Sequence, residues 1–115
     1  MYWKETDSTG VKEGESIHDG VGTIKYRPLF SEESRLPINM HVWELDPGVS
    51  EGSHTHDDFE EVYYFVAGSG VMWADGKDVP VAAGDAVLAP PGCDHGFRNT
   101  GDVPLKLVLI WGKPA

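Results

Sequence analysis

The sequence predicts a single all-β domain. Short apolar runs recur along the 115 residues, and several alternate with polar residues as half-buried strands do. Fourteen glycines and eight prolines fall between these runs, which is typical of strands joined by tight turns. No segment shows a convincing helical period, a tandem repeat or a linker. Together with a length close to the commonest domain size, these observations favour one small antiparallel sandwich or barrel.

Residues 1–20 are expected to form an N-terminal arm or an edge strand. This part of the chain is polar and mixed in charge, with no sustained period. Trp3 places a large apolar ring near the terminus, where such rings dock on a surface groove or on a partner subunit. His18 lies in a polar context, and as a lone histidine it is expected to be solvated rather than functional.

The rest of the chain predicts roughly nine or ten short strands. The first covers 22–27, where apolar and polar residues alternate before Pro28. The second reaches Leu45 and ends at the turn Asp46-Pro47-Gly48. Asp75-Gly76 is a strong hairpin signal. Further strands are predicted at 61–66, 71–74, 77–81, 86–89, 95–99 and 105–111.

Charge limits the classes of partner. Nineteen acidic against nine basic residues give a formal net charge of −10, and between Arg35 and Lys77 there is no basic residue. A field of this sign repels phosphate backbones and anionic membrane surfaces, so nucleic acid and membrane partners are not expected. It attracts metal cations, although ordinary solubility explains the charge equally well.

The single cysteine, Cys93, excludes an intramolecular disulfide. The N-terminal residues lack a basic start followed by an apolar run, so no signal peptide is expected. No apolar stretch approaches the length of a membrane span. These observations predict a cytoplasmic protein.

The segment around His54 and His56 carries the strongest chemical signal. Two histidines separated by one residue share one face of a strand, because side chains alternate with period two. On the next strand Glu61 shares a face with Tyr63 and Phe65, so Glu61 can join the histidines once the chain has turned. His95 begins a later strand behind a proline-glycine corner and is a candidate fourth member of the cluster.

Three imidazoles and one carboxylate suit one divalent first-row transition metal, Fe, Mn, Ni, Co, Zn or Cu, better than Mg or Ca. Four protein ligands on a six-coordinate ion leave two positions for water, a ligand or oxygen. A structural zinc site is usually closed by four ligands that often include cysteine. Cys93 alone cannot supply such a set. The alternative is that these residues are ordinary polar positions.

These residues closely resemble two motifs of the cupin superfamily. The first reads Gly, five residues, His-x-His, three or four residues, Glu, six residues, Gly, and is matched by Gly48, His54, His56, Glu61 and Gly68. The second reads Gly, five residues, Pro-x-Gly, two residues, His, three residues, Asn, and is matched by Gly84, Pro90, Gly92, His95 and Asn99. Both motifs are complete, in the right order, and span residues 48–99.

The resemblance implies a small single-domain cupin over residues 1–115, a β-barrel of jelly-roll type with metal inside. It implies that His54, His56, Glu61 and His95 are the metal ligands and that Asn99 is structural. Members commonly pair as homodimers, often through N-terminal strands, which would give Trp3 a role. A relative that has lost its metal is the alternative.

Two classes of function stay open. The first, which we favour, is a metal-dependent enzyme acting on a small oxygen-bearing molecule by isomerase, decarboxylase or lyase, or dioxygenase chemistry. The second is a module that binds or senses a metal or small ligand without turning it over. No general base is evident, and Tyr63 is only a weak catalytic candidate by its parity.

For other side chains near the motifs we expect mainly packing or surface roles. Tyr63, Phe65 and Phe97 line the pocket or simply pack in the core. His41 is expected to be a packed or surface residue, Glu60 and Arg98 point outward, and Cys93 is not expected to be a nucleophile.

Overall fold

A computed structural model describes all 115 residues. The chain forms ten strands and one short 3₁₀ helix, Ile17–Asp19. The strands are β1 Lys12–Glu15, β2 Thr23–Pro28, β3 Asn39–Leu45, β4 Ser50–His54, β5 Glu60–Ala67, β6 Ser69–Ala74, β7 Lys77–Ala82, β8 Ala86–Ala89, β9 His95–Asn99 and β10 Leu105–Gly112.

The strands form two antiparallel sheets. The six-stranded sheet has the order β1-β2-β3-β10-β5-β8, and the four-stranded sheet has the order β4-β9-β6-β7. The all-β, jelly-roll prediction is confirmed. The barrel is not closed by hydrogen bonds around its circumference, because its strands are divided between the two sheets.

The core lies between the two sheets and follows the alternation expected of strands. On β5 the side chains of Glu61, Tyr63 and Phe65 are buried, while Tyr64 and Val66 are exposed. On β10 every second residue is buried in the same way. The apolar core comprises Ile24, Trp43, Leu45, Tyr63, Phe65, Met72, Val81, Ala89, Phe97, Leu105, Leu107 and Leu109.

The arm is more ordered than its composition indicates. Residues 12–15 pair with β2 and form the edge strand of the six-stranded sheet. The following 3₁₀ turn was not expected from the sequence. It packs against β4 and brings the ring of His18 onto that of His54.

Two of the motif residues have clear structural roles. The side-chain amide of Asn99 donates to the carbonyls of Leu45 and Val103 at 2.9 and 2.8 Å, and its carbonyl accepts from the amide of Gly101 at 2.9 Å. Gly68 has φ +80°, and a Cβ there would overlap backbone atoms of the turn before β10, so glycine is required.

The fold contains no helix with the length and apolar character that crossing a membrane requires.

Candidate metal centre

Four side chains from three parts of the chain meet between the sheets. His54 ends β4, Glu61 lies near the start of β5, and His95 begins β9. His56 lies two residues beyond the end of β4, so the prediction that both histidines share one strand was wrong. Even so, the potential ligand atoms of His54, His56, Glu61 and His95 all lie within 4.8 Å of one another.

Oε1 of Glu61 is the centre of this cluster. It lies 2.7 Å from Nε2 of His95, 3.1 Å from Nε2 of His56 and 3.8 Å from Nε2 of His54. Donor atoms that share one ion through bonds of about 2.1 Å are separated by roughly 3–4 Å. The spacing therefore fits a single ion, with modest movement of the shortest pair.

The histidine rings are held in the tautomer that an ion requires. Nδ1 of His54 lies 2.9 Å from the carbonyl of Gly52, and Nδ1 of His95 lies 2.9 Å from the carbonyl of Cys93. A carbonyl can only accept, so both Nδ1 atoms carry the proton. A bound ion would take the place of the proton on Nε2, so that the Nε2 lone pairs of the neutral rings would face the ion, as in metal-ligating histidines. The donor set present fits a borderline first-row ion.

Glu61 and the neighbouring histidines stabilise the charged forms of one another. Burial alone would raise the pKa of Glu61, but the nearby imidazoles of His54, His95 and His56, with the hydrogen bond from His95, lower it to about 2. Burial opposes protonation of His54 and of His95, but the neighbouring Glu61 carboxylate raises the pKa of each ring. Glu61 is therefore a carboxylate at neutral pH.

Glu51 is a second carboxyl group at this site, and the sequence analysis missed it. The residue is 1% exposed, and its Oε1 lies 3.7 Å from Nε2 of His54. Strict alternation places Glu51 and His54 on opposite faces of β4. The pairing of β4 with β9 instead shifts between these two residues, and such a bulge turns both side chains inward.

Tyr63 links the two carboxyl groups. Its hydroxyl lies 3.2 Å from Oε1 of Glu51 and 3.3 Å from Oε2 of Glu61. Burial, with these neighbours, raises the pKa of Tyr63 well above its ordinary value, so the hydroxyl stays protonated. Burial also raises the pKa of Glu51 to about 7. The single hydroxyl proton of Tyr63 is therefore shared between the two carboxyl groups, each of which accepts from it.

A cavity of about 180 Å³ opens beside the cluster. This volume is well below the usual range for drug-sized ligands, which favours a small molecule. No lysine or arginine lines the cavity. Its walls are formed by His18, Trp43, Glu51, His54, His56, Phe59, Glu61, Leu109 and Trp111.

Sequence reasoning did not assign four rings to the cavity wall, those of His18, Phe59, Trp43 and Trp111. His18 was expected to be solvated, and it is exposed, but its ring stacks on His54 with centroids 3.8 Å apart. Nothing local in the sequence indicates this long-range contact. Phe59 stacks on His56 at 4.1 Å, and here a signal was available, since Phe59 has the parity of Glu61.

The remaining candidate residues have a structural or surface position, as the non-functional expectation for each of them predicted. Tyr63, Phe65 and Phe97 are fully buried in the core and do not line the cavity. His41 is a packed residue that accepts a hydrogen bond from Nε1 of Trp43 at 3.3 Å. Arg98 is exposed. Cys93 is 6% exposed, and burial raises the pKa of its thiol, which disfavours a nucleophile.

Comparison with known proteins defines the class. Residues 41–111 match the family model described as a cupin domain, and the chain belongs to the cupin family. It is 35% identical over 100 residues to the oxalate-binding protein of Thermotoga maritima, covering 83% of this chain and 80% of that protein.

Solved structures agree with this assignment. A predicted oxalate decarboxylase from Thermotoga maritima is similar with a TM-score of 0.90 and 28% identity, over 96% of this chain and 97% of that one. A Cupin 2 conserved barrel domain protein from Salinispora arenicola has a TM-score of 0.79 and 24% identity, over 98% and 89% of the two chains. The second likeness concerns the fold alone.

Proposed function

We propose that this cupin binds one divalent first-row transition metal through His54, His56, Glu61 and His95. We further propose that the ion holds a small oxygen-bearing ligand of the oxalate class. The observation that carries the proposal is the convergence of three imidazole Nε2 atoms on Oε1 of Glu61. The ion would supply positive charge and coordination positions for the ligand's oxygen atoms.

The surroundings of the cluster support an ion-dependent ligand site. The cavity is small and has no lysine or arginine in its walls, while two carboxyl groups, Glu51 and Glu61, face it. An oxyanion would be repelled from such a cavity without a metal cation. The similarity to a protein named for oxalate binding supports oxalate as the ligand to test first.

The test is calorimetric titration with oxalate of the protein loaded with Zn²⁺, and of the same protein stripped by a chelator. We expect near-stoichiometric metal and oxalate binding only in the loaded form. Acetate, which has one carboxylate, serves as the ligand control and should bind much more weakly. Protein that takes up no metal, or binds oxalate equally well without it, contradicts the proposal.

Turnover of the ligand is the second candidate function, and Glu51 favours it. This buried carboxyl faces the cavity beside His54, and a positioned carboxyl can hold or deliver a proton at a reacting atom. The structural likeness to a predicted oxalate decarboxylase supports lyase chemistry ahead of isomerase or dioxygenase chemistry. In that reaction oxalate takes up one proton and yields formate and carbon dioxide.

Turnover is tested by following formate in NMR spectra of oxalate incubated with protein loaded in turn with Mn²⁺, Fe²⁺ and Zn²⁺. If Glu51 supplies the proton, Glu51→Gln should lose formate production while retaining metal. Oxalate binding without formate from any loaded form would favour the binding function.

We also propose that the protein forms a homodimer and that it lies in the cytoplasm. Met1, Tyr2 and Trp3 are exposed in the single chain at 110%, 84% and 61%, which suits an arm that packs on a second copy. Light scattering should then give a dimer mass, and Trp3→Ser should lower the proportion of dimer. A monomer at all concentrations would contradict pairing.

A further inference from the structure

The 3₁₀ turn that carries His18 is fixed tightly on β4. The amide of Val21 donates to Oγ of Ser50 at 2.9 Å, and the amide of Ser50 donates to the carbonyl of Val21 at 2.9 Å. A Cβ on Gly52 would overlap the carbonyl oxygen of His18. The two backbones therefore touch, and this contact sets the position of His18.

The turn has an unusual backbone. Ser16, His18 and Asp19 have φ values of 51°, 53° and 63°, in the left-handed region that residues other than glycine rarely adopt. Such strain persists only where the surroundings impose it, and it is concentrated at ligand sites. Three such residues within four positions are a reason to look for a function of this turn.

The ring of His18 lies at the mouth of the cavity. It is stacked on His54 with an interplanar angle of 9°. One of its ring nitrogens lies within 4.8 Å of both a carboxylate oxygen of Glu51 and a ring nitrogen of His54. Of the imidazoles that line the cavity, His18 is the one outside the proposed metal ligands, and it faces solvent on its other side.

We propose that His18 contacts the ligand, its imidazole N–H donating a hydrogen bond to an oxygen atom of the small oxyanion held at the metal centre. This inference rests on the proposed function and names a residue that selects the ligand. An oxyanion in this cavity faces Glu51 and Glu61 without any lysine or arginine. An N–H donor at the mouth would offset that repulsion, because hydrogen bonds to charged groups are among the stronger ones.

A role of His18 as a metal ligand is less well supported. His18, Glu51 and His54 do form a second set of donor atoms within 4.8 Å. However, Nδ1 of His54 is bonded to the carbonyl of Gly52, and its Nε2 faces Glu61 in the first cluster. The second set therefore has no independent third donor.

The test compares metal content and oxalate affinity in the full chain loaded with Zn²⁺. His18→Gly removes the ring and adopts φ near +53° without strain. We expect this variant to retain stoichiometric zinc. Its affinity for oxalate should fall by about ten-fold or more. His18→Asn tolerates the same backbone and keeps an N–H donor, so it should recover part of the affinity. Asp19→Asn, the control in the same turn, should bind like wild type.

Each other result overturns the inference. Unchanged oxalate affinity in His18→Gly would leave the proposed function standing and exclude His18. Loss of zinc from His18→Gly would make His18 a metal ligand instead. Equal weakening in Asp19→Asn would assign the effect to the turn rather than to the ring. Wild type that binds zinc but no oxalate would overturn the oxalate proposal itself, and the role of His18 with it.

Discussion

Nε2 of His95 lies 2.7 Å from Oε1 of Glu61, although 34 residues separate the two in the chain. Glu61 comes from the six-stranded sheet and His95 from the four-stranded sheet. The contact therefore joins the two layers at the cluster. It also means that a bound ion would connect both sheets, so that metal binding and stability of the fold should be coupled.

Metal binding should depend on His56, whose Nε2 lies 3.1 Å from Oε1 of Glu61. We expect protein purified without chelator to carry about one equivalent of first-row metal. His56→Ala should lower the affinity for Zn²⁺ at least ten-fold, since one of four donors is lost. Elemental analysis and competition with a chromophoric chelator measure both quantities.

His41→Gln is the matched control for this substitution. His41 lies outside the cluster, so its variant should retain wild-type metal content. Equal metal loss in both variants would point to general destabilisation, and unchanged metal in His56→Ala would remove His56 from the centre.

Tyr63 should act as a positioning residue for the two carboxyl groups. Its hydroxyl is the donor that Glu51 and Glu61 share, and Tyr63→Phe would leave buried acceptors with one partner fewer. We expect the free energy of unfolding to fall by about 1–3 kcal/mol, with metal content intact. If the centre turns over a substrate, the rate should also fall. Chemical denaturation measures the stability.

Tyr64→Phe provides the comparison, because Tyr64 is the next residue on β5 and is 45% exposed. It should be close to wild type in stability. A Tyr63→Phe variant as stable as Tyr64→Phe would contradict the shared hydrogen bond. Loss of metal from it would show that Tyr63 supports the ligands themselves.

The four proposed ligands could be predicted because their signals are local. Strand parity relates Glu61 to Tyr63 and Phe65, and β5 follows this alternation. His95 follows a rigid corner that marks the start of β9. Alternation alone does not determine which strands pair. The spacing of the two motifs indicated that His95 joins the segment carrying His54, His56 and Glu61.

Glu51 and His18 could not be predicted, for two different physical reasons. Glu51 is turned inward by a shift in the pairing of β4 with β9, and no residue of β4 marks that bulge unambiguously. His18 reaches the cluster only because the backbone of its turn packs on Gly52, which is a tertiary contact without a periodic signal. Sequence therefore predicted the cluster of His54, His56, Glu61 and His95 better than the rest of the cavity wall.

Phe97 should be among the most costly residues to truncate. It is fully buried, and its ring centroid lies 5.6 Å from that of Tyr63 and 6.1 Å from that of Phe65. Phe97→Ala should lower the free energy of unfolding by about 3–5 kcal/mol, because a cavity is left among these rings. Leu88→Ala, on a residue 55% exposed, should change it by less than about 0.5 kcal/mol. Equal effects in denaturant titrations would contradict the assigned core.

His41 should make the fold less stable in mild acid. Burial lowers the pKa of His41 below its ordinary value of 6.5, among the rings of Tyr26 and Trp111. The unfolded chain, with the ordinary pKa, therefore binds the proton first as the pH falls. The free energy of unfolding should decrease from about pH 7 downward and level off below the folded pKa, with no contribution from His41 above this window.

His41→Gln isolates this contribution, because Gln does not titrate and its side-chain oxygen can still accept from Nε1 of Trp43. Denaturant titrations of the metal-free proteins at pH 8, 6 and 5 should show a smaller loss of stability for the variant. The other histidines titrate in both proteins, so their effects cancel in the difference. Parallel curves for wild type and variant would mean that His41 has the same proton affinity in the folded and unfolded chains. Its packing against the rings of Tyr26 and Trp111 argues against that outcome.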